Sequence, residues 1–589
     1  MIGRTRLFSR KIFALGESNL LLRQHPRLSC ANRRGFASGP PSSYKGQNDN
    51  KKKRIFTTKV IPGLIITAAA YAAIDDDFRS GCVHVFKMMK RTGIVGVATV
   101  KCFSKYKAVL SKEYSSEEER NKALSKCHAE CAHITYEALA HNGGIYIKLG
   151  QHVTALTYLL PPEWPEAMLP LLDQCPRSSR EEINQLFIDD LGKPIDEIFE
   201  TFDQDPFGVA SLAQVHVATL KDTKQQVAVK CQHPSLNEFV PLDLLLTNGV
   251  FSALRRIFPE YNLSWLGDEL QRGIYIELDF NIEAENSKNT REYFSNFKNI
   301  TALRIPDITW SSKRILIMEF LPGRRLDDLK YLDDNNISRA QVSTCLAHTF
   351  NNMIFTPGVG IHCDPHGGNL AIRALPKSES HNGHNFEIIL YDHGQYRHVT
   401  TEMRRSYAKM WLALLDCKPQ EVKKYAKEFA GVTEAEFPIF AAAITGRDFD
   451  HAVGDLRSKR TQAEIDNMAA KFREEDLLIV LMELLSHLPR IVPLILKTND
   501  LVRNLDERLE NPLGMEKGFL VMASYCAQTV FYEDKQVLNE KYSKFSVRWV
   551  LGYLKALWRY EERIGQLYIY DIAVTMQQLR ERLYGYLCF

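Results

Sequence analysis

His362-Cys363-Asp364-Pro365-His366-Gly367-Gly368-Asn369 carries the densest chemistry in this chain of 589 residues. A run so rich in titratable side chains is an odd thing to place in a core for packing alone, so Asp364 reads as functional. His362 reads first as a structural hydrogen-bond hub and second as a proton carrier. His366 reads as a packed or hydrogen-bonded histidine, with metal ligation as the alternative. Downstream, the apolar strand Ile388-Ile389-Leu390-Tyr391 runs straight into Asp392-His393-Gly394. Upstream, Val227-Ala228-Val229-Lys230 and Ile315-Leu316-Ile317-Met318-Glu319-Phe320 are two further short β-rich runs.

Around these runs the pattern is helical over 80–175, mixed over 183–330 and helical again from 338 to the end. A mixed segment followed by a helical one predicts a bilobal α+β domain. With 45% hydrophobic and 10% aromatic residues the chain can bury a large core, which excludes a disordered protein. Its charge is lopsided: residues 1–54 hold thirteen Lys/Arg against Glu17 and Asp49, so the other 535 residues sum to −7. That body lacks the basic excess expected of a nucleic-acid binder. The twelve cysteines are scattered without a C-x-x-C, so neither a zinc site nor a disulfide framework is legible.

Taken in order, Val227-Ala228-Val229-Lys230, His362-x-Asp364 with Asn369 five residues on, and Asp392-His393-Gly394 resemble the phosphate lysine, catalytic loop and metal-binding D-F-G of protein kinases. Met318-Glu319-Phe320-Leu321-Pro322-Gly323 resembles the hinge between them. The chemistry asks for a cation on the polyphosphate and for carboxylate and amide oxygens on Mg²⁺, since phosphoryl transfer is mostly positioning and charge neutralisation. No G-x-G-x-x-G precedes Lys230. The corresponding hairpin, Pro206-Phe207-Gly208-Val209-Ala210-Ser211-Leu212-Ala213-Gln214-Val215-His216, instead resembles the alanine-rich loop of the UbiB family of aarF-domain atypical kinases. Lys148-Leu149-Gly150-Gln151 matches that family's K-x-G-Q, Glu277-Leu278-Asp279 its E-x-D, and His362 to Asn369 its H-x-D-P-H-x-G-N. Asn142-Gly143-Gly144, Leu159-Leu160-Pro161-Pro162-Glu163, Asp-His-Gly and Leu496-Lys497-Thr498-Asn499-Asp500 look most like the mitochondrial inner-membrane subgroup.

The resemblance implies a kinase-like fold with a helical extension carrying K-x-G-Q over 80–180, an N-lobe over 181–325, and a helical C-lobe over 326–589. It implies Lys230 on the phosphates, oriented by Glu283, with Asp364 as the catalytic aspartate. Asn369 and Asp392 would ligate Mg²⁺, and Val209, Ala210, Ser211, Glu319 and Leu321 would line the ATP or ADP. Lys148 and Gln151, three apart on one helical face, would close the cleft against Glu277 and Asp279. That closure makes peptide phosphorylation a poor fit. The family instead implies an atypical kinase or ATPase supporting mitochondrial lipid or coenzyme Q homeostasis, with a lipid or isoprenoid, coenzyme Q-like ligand. The alternative is a nucleotide-gated lipid-binding or scaffold pseudokinase without turnover.

Residues 1–38, rich in Arg and Ser and nearly free of acids, have the composition of a mitochondrial presequence, and 39–59 read as a basic linker. Val60 to Ile74 is apolar between Lys59 and Asp75-Asp76-Asp77. As a helix it reaches about 22 Å of the roughly 30 Å hydrocarbon core, and extension back to Ile55 makes it a membrane span. A short packed or interfacial helix is the other reading. With the Lys/Arg cluster at 51–59 on the matrix side, the body would face the intermembrane space.

Overall fold

Helical periodicity beyond residue 80 is realised as α1 (Asp76–Leu110), α2 (Glu117–Asn142) and α3 (Ile145–Thr154). Ser116 caps α2 by accepting from the Glu119 N–H, and Glu117, Glu118 and Glu119 place negative charge on the helix N-terminus. Gly143 and Gly144 sit at φ of +65° and +59°, a turn that side chains resist, and so launch α3 directly from the end of α2. This is a computed structural model describing residues 76–154, 160–173, 175–234, 236–259, 263–376, 383–445, 484, 487–511 and 516–587. The presequence, linker and membrane-span expectations over 1–74 lie outside the described residues. Among the described residues no helix is long and apolar enough to cross a membrane. His84–Phe589 forms one compact unit.

The glycine of K-x-G-Q has a packing reason. A Cβ on Gly150 would lie 2.2 Å from Leu171 Cδ1 and 3.4 Å from Leu139 Cδ1, both in a buried cluster with Ile147 and Met168. Gly150→Ala therefore obliges the buried Leu171 side chain or α3 itself to shift, and a loss of about 1–3 kcal/mol is expected. Thermal unfolding checks it; an unchanged midpoint would show that Leu171 yields freely.

After α4 (Arg180–Leu191) comes an antiparallel sheet built from β1 (Phe199–Phe202), β2 (Gly208–Val209), β3 (Ala213–Leu220) and β4 (Gln226–Gln232). It is completed, in the order β1-β3-β4-β7-β6, by β6 (Ile308–Ser311) and β7 (Ile315–Glu319). Period-two alternation along β4 sends Val227, Val229 and Cys231 to the face packed on Ile183, Leu186 and Phe187 of α4. Lys230 consequently points the other way. Between β4 and β6 lie α5 (Leu236–Ile257), α6 (Ser264–Glu277), α7 (Phe280–Ser295) and β5 (Leu303–Arg304). Phe280 and Ala284 of α7 pack with Ala213 and Leu316 of the sheet, under the face that carries Lys230.

α8 (Arg339–Phe355) opens the helical half, interrupted by β8 (Ile361–His362), β9 (Leu370–Ala374), β10 (Phe386–Leu390) and β11 (Tyr396–Arg397). β5 lies outside the first sheet and pairs in parallel with β10, Leu303 opposite Ile388. α9 (Thr401–Leu415), α10 (Pro419–Ala430), α11 (Ile491–Arg508), α12 (Glu516–Lys541) and α13 (Val547–Leu587) follow. Tyr407, Trp411, Phe429 and Phe440 fill the core of this half, where the Tyr407 and Phe429 rings stack at 4.7 Å. The mixed sheet-and-helix architecture agrees with the α+β, kinase-like expectation.

Candidate active site

Two strand registers assemble the site. Leu390 of β10 pairs with Leu370 of β9, so Asn369 and Tyr391-Asp392 leave the hairpin side by side, and the Tyr391 N–H donates to the Asn369 carbonyl at 3.0 Å. Tyr396 of β11 pairs with His362 of β8, which returns the loop after Asp392 to the start of the catalytic-loop run. His362 closes the arrangement. Its Nδ1 accepts the Asp364 N–H at 3.1 Å, which leaves Nε2–H to donate to the Asp392 carbonyl at 2.9 Å. His362 thus bridges the two loops. His393 is buried likewise: Nε2–H donates to the Leu390 carbonyl, Nδ1 accepts from Tyr396 Oη, and burial pushes its pKa down to about 3.

On the cleft face of β4, Lys230 Nζ donates to both oxygens of Glu283 at 2.7 and 2.8 Å and lies 3.6 Å from Asp392 Oδ1. Asp279 caps α7 by accepting the Asn281 N–H at 3.1 Å, which fixes the first turn on which Glu283 rides. Burial pushes the Glu283 carboxyl up to about 7 even with Lys230 beside it. Burial also opposes the charge on Lys230, but Glu283 and Asp392 outweigh it and hold the ammonium above its usual value. Asn369 Nδ2 donates to Asp392 Oδ2 at 3.1 Å, so amide and carboxylate stand side by side.

A second charge cluster surrounds Asp364. One oxygen accepts from Lys148 Nζ at 3.1 Å and the other from Lys497 Nζ at 2.7 Å, while Lys148 also pairs with Glu277 at 3.1 Å. Burial works against ionised Asp364 and Asp392, yet Lys148 and Lys497 on the first and Lys230 on the second hold both well below the usual carboxylate range. His152, among Lys148, Lys497 and Asp364, is pushed by burial down to about 3 and stays neutral. For an acid whose pKa is lower folded than unfolded, the added stability is full above the unfolded value near 3.9 and is lost as pH falls below it. The part of the stability that ionised Asp392 contributes, read as the difference between wild type and Asp392→Asn, should therefore shrink as pH falls below about 4. Denaturant unfolding along a pH series checks this; a difference that vanished near neutrality would contradict it.

Seven of the residues expected from sequence converge here: Lys148, Lys230, Glu277, Glu283, Asp364, Asn369 and Asp392. Others do not. Gln151 Nε2 donates to the Leu171 carbonyl at 3.1 Å, and Asp279 serves as a helix cap. Glu319 is bound by Arg304 at 2.6 and 2.8 Å, and the Leu321 carbonyl accepts from Tyr391 Oη at 2.7 Å. In the loop Val209-Ala210-Ser211, the Ala210 N–H goes to the Ala213 carbonyl at 2.8 Å and its carbonyl accepts from His233 Nε2 at 3.1 Å.

Two functional positions escape the motif reading. Asn286, one turn beyond Glu283, donates from Nδ2 to the His393 carbonyl at 3.0 Å and ties α7 to the loop after Asp392. The i, i+3 spacing from Glu283 was the available signal. Lys497 arrives from α11, where Val492 and Ile495 are buried and Asn499 Nδ2 donates to Tyr407 Oη at 2.7 Å. In sequence it belongs to a subgroup mark with no assigned role.

Residues 170–426 match the ABC1 atypical kinase-like domain family. The ABC1 family protein MCP2 of Saccharomyces cerevisiae is 54% identical over 87% of this chain and 91% of its own length. AarF domain-containing protein kinase 1 of Mus musculus is 32% identical over 85% of this chain and 90% of its own length. Among solved structures, the Rv3197–erythromycin complex from Mycobacterium tuberculosis aligns over 62% of this chain and 95% of that chain, with 20% identity and a TM-score of 0.36. With the kinase-like sheet, the paired loops and relatives matched along most of their length, the chain belongs to the ABC1, or aarF-domain, atypical kinase family.

Proposed function

We propose that this protein binds a Mg-nucleotide, ATP or ADP, between β4 and the Asn369–Asp392 pair and, with ATP, transfers or hydrolyses its terminal phosphate. The observation that carries this reading is Lys230, gripped by Glu283 and 3.6 Å from an Asp392 held anionic beside Asn369. Hard oxygen donors of this kind suit Mg²⁺. Among the described residues no group of three or more His, Cys, Asp or Glu could hold a metal, so phosphate oxygens and water would complete the coordination. When bound, the ion neutralises phosphate charge.

Lys230 supplies the polyphosphate with a cation that Glu283 orients. In the transfer step an acceptor hydroxyl or water forms a bond to the terminal phosphorus as the bridging P–O bond breaks. Asp364 takes the acceptor's proton, and the nucleoside phosphate leaves with the bond's electron pair. Lys148 reaching into the cleft from α3 leaves a peptide little access to Asp364, which favours a lipid or isoprenoid, coenzyme Q-like acceptor as the family resemblance implies. The arginine-rich, acid-poor N-terminus supports delivery to mitochondria, and 55–74 an inner-membrane anchor with the body toward the intermembrane space.

The clamp on Asp364 favours a second reading, a nucleotide-gated lipid-binding scaffold without turnover, because both carboxylate oxygens already accept from lysines. Mg²⁺-dependent phosphate release by the full chain separates the two. Release that disappears in Asp392→Asn establishes the enzyme. Thermal stabilisation by nucleotide without release establishes the scaffold, and neither response overturns nucleotide binding itself. Saturation at about a hundred times Kd should add about 2.7 kcal/mol.

A further inference from the structure

α13 is a bar of 41 residues, about 60 Å long, with two unlike faces. Its inner face is accounted for. Trp549 Nε1 donates to Asn539 Oδ1 at 2.9 Å, Tyr560 stacks on Phe531 at 5.1 Å, and Arg563 pairs with Asp416 at 2.6 Å. A Cβ on Gly552 would lie 2.4 Å from Leu538 Cδ2, so the helix backbone sits tight on α12. The opposite face carries Val547, Leu551, Leu554 and Trp558, all exposed, at steps of four, three and four residues. That spacing is one stripe of a 3.6-residue helix. Trp558 is 72% exposed and Phe545, just ahead of the helix, 83%. Ile569, Ile572 and Met576 continue the stripe in the same register. Monomeric surfaces seldom leave such a continuous apolar strip to water.

Charge says what covers it. From Lys541 to Tyr560 the chain holds Lys541, Lys544, Arg548, Lys555 and Arg559 and no Asp or Glu; Glu561 and Glu562 close the run. Arg559 is tied to Asp534 at 2.9 Å, while Lys541, Lys544, Arg548 and Lys555 are exposed. At 100° per residue, Arg548 and Lys555 fall on the same border of the stripe, where their stems can lie along apolar surface while their charges reach outward. The same twenty residues contain Tyr542, Phe545, Trp549, Tyr553, Trp558 and Tyr560, and tryptophan and tyrosine favour the boundary between headgroups and acyl chains. A second copy docked face to face by two-fold symmetry would bring this basic run against itself.

We propose that the Val547–Trp558 face of α13, with the Tyr542–Ser546 turn that leads into it, lies on an anionic phospholipid leaflet, with Leu551, Leu554 and Trp558 in the acyl boundary and Lys544, Arg548 and Lys555 on the lipid phosphates. The docking surface goes beyond nucleotide chemistry and stands whether or not the cleft turns over. It also differs from a spanning anchor, since an interfacial helix lies in the membrane plane.

The test uses the full chain with phosphatidylcholine vesicles, with and without phosphatidylglycerol. The readout is quenching of Trp558 by brominated lipid, taken as the difference from Trp558→Phe, so that any other membrane anchor does not mask the result. Quenching should require phosphatidylglycerol and fade at molar salt. It should disappear in Leu551→Glu/Leu554→Glu, whose unfolding midpoint stays at the wild-type value because both side chains are exposed. Each of Lys544→Gln, Arg548→Gln and Lys555→Gln should weaken the lipid contact roughly fivefold. Quenching indifferent to anionic lipid overturns the proposal. So does amide protection of 545–560 that appears without vesicles in step with a dimer mass, which would assign the face to a second copy, or with a bound acidic protein.

Discussion

Lys230→Met is expected to cost about 3–5 kcal/mol of unfolding free energy at about pH 8 and distinctly less at about pH 6. Glu283 is buried, and Lys230 is the cation that both of its oxygens face. Removing that cation strands a carboxylate in low dielectric, which relieves itself by holding a proton. The sign follows from proton counting. An acid whose pKa is raised on folding keeps its proton in the folded state after the unfolded chain has released it, so stability falls with rising pH until the folded value is passed. In the wild type that value is about 7. In the variant it lies higher, so the gap between the two proteins should widen above about pH 7. Denaturant unfolding at the two pH values measures it, and equal stability of variant and wild type at the higher pH would contradict the account. Lys230→Met/Glu283→Leu should recover the part of the loss that stranded Glu283 causes, since an apolar pair replaces that ion pair at little cost, while Asp392 still lacks the cation 3.6 Å away. Nucleotide-induced stabilisation should remain absent in that double variant, which would show that the pair serves ligand binding rather than the fold.

The legible parts of this site are those where local spacing and chemistry coincide. Lys230 sits on a strand whose alternation can be read from Val227-Ala228-Val229, and Asp364, Asn369 and Asp392 lie in short loops at the ends of apolar strands. Their side chains are placed by registers of a few residues, so motif spacing carries nearly all the geometry. What stayed hidden depends on long-range packing. Lys497 reaches Asp364 across 133 positions of sequence because the neighbours of Lys497 on α11 are seated in the helical core. No periodicity within 491–508 specifies that partner. Gln151 shows the opposite failure: a three-residue spacing places it on the same face as Lys148, yet its amide is satisfied locally by the Leu171 carbonyl. Helical spacing names candidates for one face, and hydrogen-bond supply nearby determines where each side chain goes. The hinge residues follow the same logic, Glu319 being claimed by Arg304 and the Leu321 carbonyl by Tyr391.

Asp364→Asn should lower Mg²⁺-dependent phosphate release by about 10²–10⁴, the range associated with loss of a positioned general base, while nucleotide affinity changes little. The isosteric amide retains shape, and Lys230, Asn369 and Asp392 are untouched. Lys497→Met should move the rate the other way. With Lys148 at 3.1 Å and Lys497 at 2.7 Å, both Asp364 oxygens are occupied and the carboxylate is held far below its usual range, which makes it a weak base. Removing Lys497 frees the oxygen with the shorter bond and raises the basicity of the group, so release should rise several-fold. Lys148→Met is a less clean experiment, because it also leaves Glu277 without the cation that offsets its burial. The pair of single variants, measured by phosphate release at saturating nucleotide, separates two roles for the clamp. A rise in Lys497→Met makes the clamp a brake that acceptor binding must release. A fall comparable with that of Asp364→Asn would instead make Lys497 a cation required during transfer, with Asp364 holding it in place until the substrate's charge arrives.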